Sequence, residues 1–445
     1  PGNVITGTEE QTADEFTPKM IDNIIEEMKD ESFQFKPVNR ISVTKRNGKK
    51  RSVGIPSFRD KIVQKALVYV LEAIYDSPVG AYFRDCSHSF RPGKNIHTAL
   101  REYRRKWSGI NWIIRGRIHS FFDDVDHHIL CDILKRKIRD ERLISLIWKA
   151  LKVGYWGEEN GAQCALPKMP REYLLNPILS NIYLSEFDNF VMSICERERK
   201  DDRKEIAVPG FIRIKYIRYA DDWMIGITGP KHLGVSIRNE CRQFLSDTLN
   251  LMLNEEKKEV IHAKSECADF FGVLLSINDN RKDQYLTRQN RKTNHKAKIT
   301  GWQPSLKIPT GWLVRQLKKK GYCDGNGYPE SNTSWIWRDD ADIVQHFSDM
   351  NKGLSDYYRF ADNFSAMRRM QYILKYSCAK TLAAKHRLSV PKVFKKHGKN
   401  LTVIYETGGK IRKKSFWQNK DYKRKPNAFM TGRKYSRGLM TLTHF

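Results

Sequence analysis

Four residues, Tyr219-Ala220-Asp221-Asp222, stand between two β-forming runs, IRIKYIR and WMIGI. Adjacent carboxylates at a tight turn repel one another, so a fold that keeps them needs a compensating positive charge. One chemistry that uses such a pair is nucleotidyl transfer, in which acids hold two divalent cations roughly 3.5–4 Å apart. A surface hairpin that happens to carry two acids would look the same, and the tetrapeptide alone does not separate the two. A second acidic stretch, SFFDDVDHHIL, brings Asp123, Asp124 and Asp126 to the end of the apolar run WIIRGRI, in which Arg117 sits.

The elements that must position these residues follow from hydrophobic periodicity. WIIRGRIHSFF predicts a strand and HHILCDILKRKI a helix; LLNPILSNIYLSEFDNFVMSI begins at a proline and predicts a longer helix; IRIKYIRYADDWMIGI has strand, tight turn, strand character. Upstream, Met20, Ile21, Ile24, Ile25 and Met28 have helical spacing, and RISVTKRNGKKRSVGIP alternates around Asn47-Gly48 as a basic hairpin. DKIVQKALVYVLEAIYD is a strong helical pattern. After GVLLSINDNRKDQYLT the composition turns polar and basic through about 301, which suggests a boundary, and helical patterns dominate from about 340 to 388. Beyond 400 the chain is rich in lysine and arginine.

At 445 residues, with 40% hydrophobic residues, two or three domains are expected. Lys plus Arg number 80 against 51 Asp plus Glu, a formal charge of +29, which calls for a polyanionic partner held largely through phosphate contacts. No apolar run approaches the roughly 18 residues a spanning helix needs, and PGNVITGTEEQTADEF has neither signal nor transit character. A soluble, intracellular chain is therefore expected, with no membrane partner. The cysteines at 86, 131, 164, 195, 241, 267, 323 and 378 stand singly, with no C-x-x-C pair; reduced thiols and no zinc-bearing endonuclease domain are the expectation.

RISVTKRNGKKRSVGIPSFRDKIVQ, SHSFRPGKNIHTAL, SFFDDVDHHIL, NPILSNIYL, IRYADD and LMLNEEKK, in this order and spacing, resemble group II intron-encoded reverse transcriptases. Downstream, GLSDYYRFADNFSAMRRMQYILKYSCAKTLAAKHRLSVPKVFKKHGKNL is similar to the maturase region of that family, domain X. The resemblance implies an α/β (α+β) right-hand polymerase. Fingers would span 1–110, a palm with the Tyr-Ala-Asp-Asp turn 111–275, and a linker and the start of the thumb 276–340. Domain X helices would span 341–400, and a basic tail 401–445. It also implies magnesium, required in any case by the RNA, and a group II intron RNA partner, with exon DNA or RNA as further candidates.

The resemblance further implies an aspartate five residues before Phe122, acting with Asp221 and Asp222 as metal ligands; this chain has Arg117 there. A guanidinium has no lone pair to offer and repels the cation it replaces, so its expected partner is the Asp221–Asp222 pair itself. Asp123, six residues on, matches the structural acid of the family's F-F-D. The family's P-Q-G loop corresponds to Pro170-Arg171-Glu172, where a glutamate replaces the glycine and would repel a triphosphate. With Tyr219, Ala220, Arg117, Arg171 and Glu172, the two aspartates then form a vestigial centre, holding metal only if a divalent ion still binds.

RNA contacts are expected from Lys45, Arg46, Lys49, Lys50 and Arg51 in the hairpin, and from Arg91 and Lys94 in the Pro-Gly turn. Arg368, Arg369, Lys375, Lys380, Lys385, Arg387, Lys392, Lys395 and Lys396 would extend that surface over domain X, beside an apolar set Met370, Ile373, Leu374, Cys378 and Leu382. Tyr357 and Tyr358 fit either base stacking or a core. Three functions stay open: a maturase that stabilises the splicing-competent fold of its intron, an active reverse transcriptase of a mobile intron, and a general RNA chaperone or splicing scaffold. Relatives of this kind point to an organelle, mitochondrion or chloroplast, or to the bacterial cytoplasm.

Overall fold

The computed structural model describes residues 17–44, 50–77, 82–153, 155–156, 163–164, 173–198, 212–254, 260–279, 284–290, 293–299 and 301–430, with the backbone alone for 39–44, 50–53, 155–156, 163–164, 279, 284–290 and 293–299. The chain forms two compact units: 1–95 with 111–261, and 96–110 with 262–445.

The first unit is organised around a sheet in which Asp222–Thr228 lies between Arg213–Tyr219 and Trp112–Arg117, with Val260–His262 beyond the latter. Its central strand buries Trp223, Met224, Ile225 and Ile227, on both faces, so it reads as a continuous apolar run rather than an alternation. Both neighbours pair with it antiparallel, and the register sets Gly116 opposite Trp223 and Arg117 opposite Asp222. A Cβ at position 116 would lie 2.1 Å from the buried Trp223 ring, so glycine alone fits there.

The helix Asn176–Arg197 starts at Pro177, where a missing N–H costs nothing, and buries side chains around most of its circumference. Together with helices Phe58–Tyr75 and Lys231–Leu249 it closes a core that includes Leu71, Leu130, Leu134, Leu179, Tyr183, Phe187, Trp223 and Leu245. Asp126 and Asp140 cap the helices that follow them, each accepting from two backbone N–H groups. The expected hairpin is present as Val38–Thr44 paired antiparallel with Lys50–Ile55, Thr44 facing Lys50.

Ser57 caps the helix Phe58–Tyr75 by accepting from the Asp60 N–H, and Asp60 Oδ2 accepts from the Lys36 N–H at 3.1 Å. Burial pushes this carboxyl up to about 6, against the pull of the Lys36 N–H and the Ser57 side chain, and Oδ1 has no hydrogen-bond partner among the described residues. An acid whose folded pKa is raised stabilises the fold while protonated, and that contribution is lost as pH rises from about 4 to about 6. A shift of this size corresponds to about 3 kcal/mol. Denaturant titrations at pH 4 and pH 7 should therefore show Asp60→Asn gaining that much relative to wild type over the interval, and a gap that does not change with pH would refute it.

The second unit opens with the helix Ile96–Lys106 and a three-stranded sheet, Trp302–Lys307, Val273–Asp279 and Ala268–Phe270. Helices Thr310–Lys319, Asp340–Tyr357, Met367–His386 and Val390–His397 follow, then an antiparallel hairpin of Val403–Thr407 with Lys410–Lys414. Met370, Ile373, Leu374, Cys378 and Leu382 all face the core, the 3.6-residue stripe their spacing predicts. Tyr357 and Tyr358 are buried too, donating to the carbonyls of Phe271 and Gly272 at 2.9 and 2.7 Å. Of the two readings the sequence left for them, the core one holds. Among the described residues no helix is long and apolar enough to cross a membrane, and the described cysteines carry free thiols.

Candidate functional site

Tyr219 ends one strand, Asp222 begins the next, and Ala220 makes the turn at φ +54°, a left-handed conformation uncommon for a residue with a Cβ. A buried polar network holds it. The Ala220 N–H donates to Ser89 Oγ at 2.9 Å, and the Ala220 carbonyl accepts from Arg218 Nη1 at 3.2 Å. Arg218 is fully buried and doubly bonded to Asp188, at 2.7 and 2.6 Å, with Tyr216 OH donating to the same carboxylate and Ser87 Oγ accepting from Arg218 Nη2. Arg218 keeps a raised pKa: burial, which would lower it, is outweighed by Asp188. SHSF, which leads into the Pro-Gly turn of Arg91 and Lys94, is stitched to the acidic hairpin, since Arg218 exchanges backbone hydrogen bonds with Cys86 and His88.

Two arginines answer the two acids. Arg117 donates from Nε to Asp221 Oδ2 at 3.2 Å. Arg115 sits over Asp222, with Nη2 3.3 Å from Oδ2 and Nε 3.5 Å from Oδ1. Asp222 is buried, which pushes its pKa up to about 6; Arg115 pulls it down and the charge of Asp221 pushes it further up. Sequence reasoning found Arg117 and missed Arg115, although period-2 alternation puts positions 115 and 117 on one face of the strand. Two divalent cations would need oxygen ligands where this site has two guanidinium groups, so the residues present do not fit a two-metal centre.

Asp123, Asp124 and Asp126 do not join Asp221 and Asp222. They line a separate cleft with His127, His128 and Trp148, where Asp126 is spent on capping and Asp124 lies 3.4 Å from His119 Nδ1. Among the described residues, no three His, Cys, Asp or Glu side chains converge as a metal site.

The basic residues divide into structural and open sets. Arg91 is almost wholly buried, bound to Asp76 and to the carbonyls of Arg84 and Ser87, and Lys94 pairs with Asp85. Arg369 donates to the Asn326 carbonyl, Lys380 to that of Pro329, and Lys385 to Asp340. Arg387 closes its helix at φ +54°. Arg368, Lys392, Lys395 and Lys396 are exposed, and Lys375 is half-buried. Lys45, Arg46, Lys49, Arg171 and Glu172 lie outside the described residues, and of Lys50 and Arg51 the backbone alone is described.

Residues 43–299 match the family of reverse transcriptases (RNA-dependent DNA polymerases), and residues 302–438 match the type II intron maturase family. The group II intron-encoded protein LtrA of Lactococcus lactis is 30% identical over 457 residues, covering 90% of this chain and 74% of that protein. The putative COX1/OXI3 intron 1 protein of Saccharomyces cerevisiae is 30% identical and covers 91% of this chain, which spans about half of that protein, 53%. The nuclear intron maturase 1, mitochondrial, of Arabidopsis thaliana is 24% identical and covers 75% of this chain and 57% of its own length.

Proposed function

Because the chain belongs to the family of group II intron-encoded reverse transcriptases and maturases, we propose that it acts as a maturase, binding intron RNA and holding it in the splicing-competent fold without copying it. The observation that carries this reading is the pairing of Asp221 with Arg117 and of Asp222 with Arg115, which neutralises from within the charge a polymerase leaves for magnesium. Magnesium then belongs to the RNA, whose own groups perform both transesterifications. The protein contributes counter-charge, of which the chain has +29, and shape.

Linkage sets what such binding can do. A ligand that binds only the folded RNA stabilises it by about 2.7 kcal/mol at a hundredfold excess over Kd, enough to rescue a marginal ribozyme. Exon DNA or RNA is a secondary ligand, and the compartment is that of the relatives' introns, mitochondrial or bacterial. One observation favours the alternative, an active reverse transcriptase: the strained turn at Ala220 is still fully braced by Arg218 and Ser89.

The test pairs two assays on one preparation, using a group II intron RNA identified by its capture on the protein. Splicing at low magnesium should depend on the protein, and templated primer extension should be absent. Magnesium-dependent extension that disappears in Asp221→Ala would overturn the proposal. Capture of many unrelated RNAs with equal affinity would point instead to a general chaperone.

A further inference from the structure

The helix Met367–His386 turns its apolar stripe inward, and the opposite face carries two tyrosines that the core does not use. Tyr372 is 48% exposed and Tyr376 36%, whereas Tyr357 and Tyr358 are 1% and 2% exposed. One helical turn apart, Tyr372 and Tyr376 lie with ring centroids 4.7 Å apart, and Tyr376 is 5.5 Å from Phe394 on the next helix, Val390–His397. Three rings thus form a row across two helices of one unit. Contiguous, partly exposed aromatic surface of this kind favours a ligand that covers it.

The surroundings identify the occupant. Lys375 Nζ lies 5.7 Å from the Phe394 ring, and the groups acting on this ammonium are burial and a like charge, Lys399, which together lower its pKa. Arg368 is one turn before Tyr372, and Lys392, Lys395 and Lys396 are exposed on the helix that carries Phe394. Rings inside a cationic rim suit a ligand with flat faces and a polyanionic backbone. Duplex RNA hides its base faces in the stack, so only unpaired nucleotides present both features at once. An acidic protein segment would satisfy the rim but not the row of rings.

We propose that Tyr372, Tyr376 and Phe394 form a stacking platform for unpaired RNA bases, with Arg368, Lys375, Lys395 and Lys396 holding the flanking phosphates. The inference rests on the RNA-binding reading above and sharpens it. The part of the RNA held here is a single-stranded loop, bulge or end, and the contact is tolerant of sequence because every base offers a π-face.

The test measures fluorescence anisotropy of the full chain with two probes, a short adenine-rich single-stranded RNA and a duplex RNA of the same length. The Tyr372→Ala/Tyr376→Ala variant should lose about ten- to a hundredfold in affinity for the single strand and little for the duplex. Tyr372→Phe/Tyr376→Phe should bind as wild type does, since the ring is retained. Lys395→Gln/Lys396→Gln should weaken both probes and flatten the salt dependence. Both rings lie outside the core, so the alanine variant should still melt cooperatively, within a few degrees of wild type, and its unchanged duplex affinity excludes misfolding as the cause. Single-strand affinity unchanged in the alanine variant, or an equal loss on both probes, would overturn the platform and leave the lysine result standing for RNA binding at large. Wild-type protein that binds neither probe would overturn the RNA-binding reading itself.

Discussion

Asp188→Ala should destabilise the unit that contains it by about 3–5 kcal/mol, because it leaves a buried guanidinium with no counter-charge. Arg218 and Asp188 are both fully excluded from solvent and joined by two short hydrogen bonds. Remove the carboxylate and Tyr216 OH loses its acceptor as well. The loss then propagates to Ala220, whose carbonyl accepts from Arg218 and whose φ is held at +54° by that bond and by Ser89. Asp188→Asn should cost less, since one oxygen still accepts, but the charge stays unbalanced. Urea unfolding of the three proteins measures this, and a loss under about 1 kcal/mol for Asp188→Ala would mean that water or a neighbour rescues Arg218. The exposed pair Lys29–Glu26 is the control: its removal should change nothing measurable.

That network also separates what the sequence could convey from what it could not. The hairpin around Asp221 and Asp222 was legible because both strands are apolar and the turn is acidic, and the motif order carried the reverse transcriptase family and its fold. The need for a cation beside two carboxylates was legible as electrostatics. That Arg115 serves Asp222 while Arg117 serves Asp221 was not, because it depends on strand register, which places position 117 opposite Asp222 yet aims its side chain at Asp221. Arg91 shows the same limit: a Pro-Gly turn suggested phosphate, and a carboxylate fifteen residues upstream, Asp76, takes the guanidinium instead. Tyr357 and Tyr358 are adjacent, so no single helical face buries both; the carbonyls of a distant turn at Phe271 and Gly272 do. Tyr372 and Tyr376, by contrast, could have been found, since their spacing puts them together and opposite Ile373, Leu374 and Cys378.

The two-arginine arrangement makes a second large prediction, about metal rather than RNA. Arg115, Arg117, Asp221 and Asp222 sum to zero charge when all are ionised, whereas Arg115→Val/Arg117→Asp would give a site of three carboxylates and charge −3. At an effective dielectric of about 20, one unit of charge at about 4 Å is worth ~4 kcal/mol, so manganese affinity at this site should rise on the order of a hundredfold or more. Arg117→Asp alone should gain much less, because Arg115 still occupies Asp222. The readout is the paramagnetic signal of bound manganese in the protein without RNA, with Asp221→Ala in each background to assign the signal to this turn. Primer extension would be a poorer readout, since polymerisation needs a nucleotide site as well as a metal site and restoring metal need not restore nucleotide binding. If the wild-type protein already binds manganese in an Asp221-dependent way, the arginines yield to the ion, the site is a working metal centre with mobile counter-ions, and the active reverse transcriptase becomes the better reading. If only the double variant binds, two guanidinium groups on one face of one strand are what keeps metal from the acids, and the braced turn beneath them serves the fold.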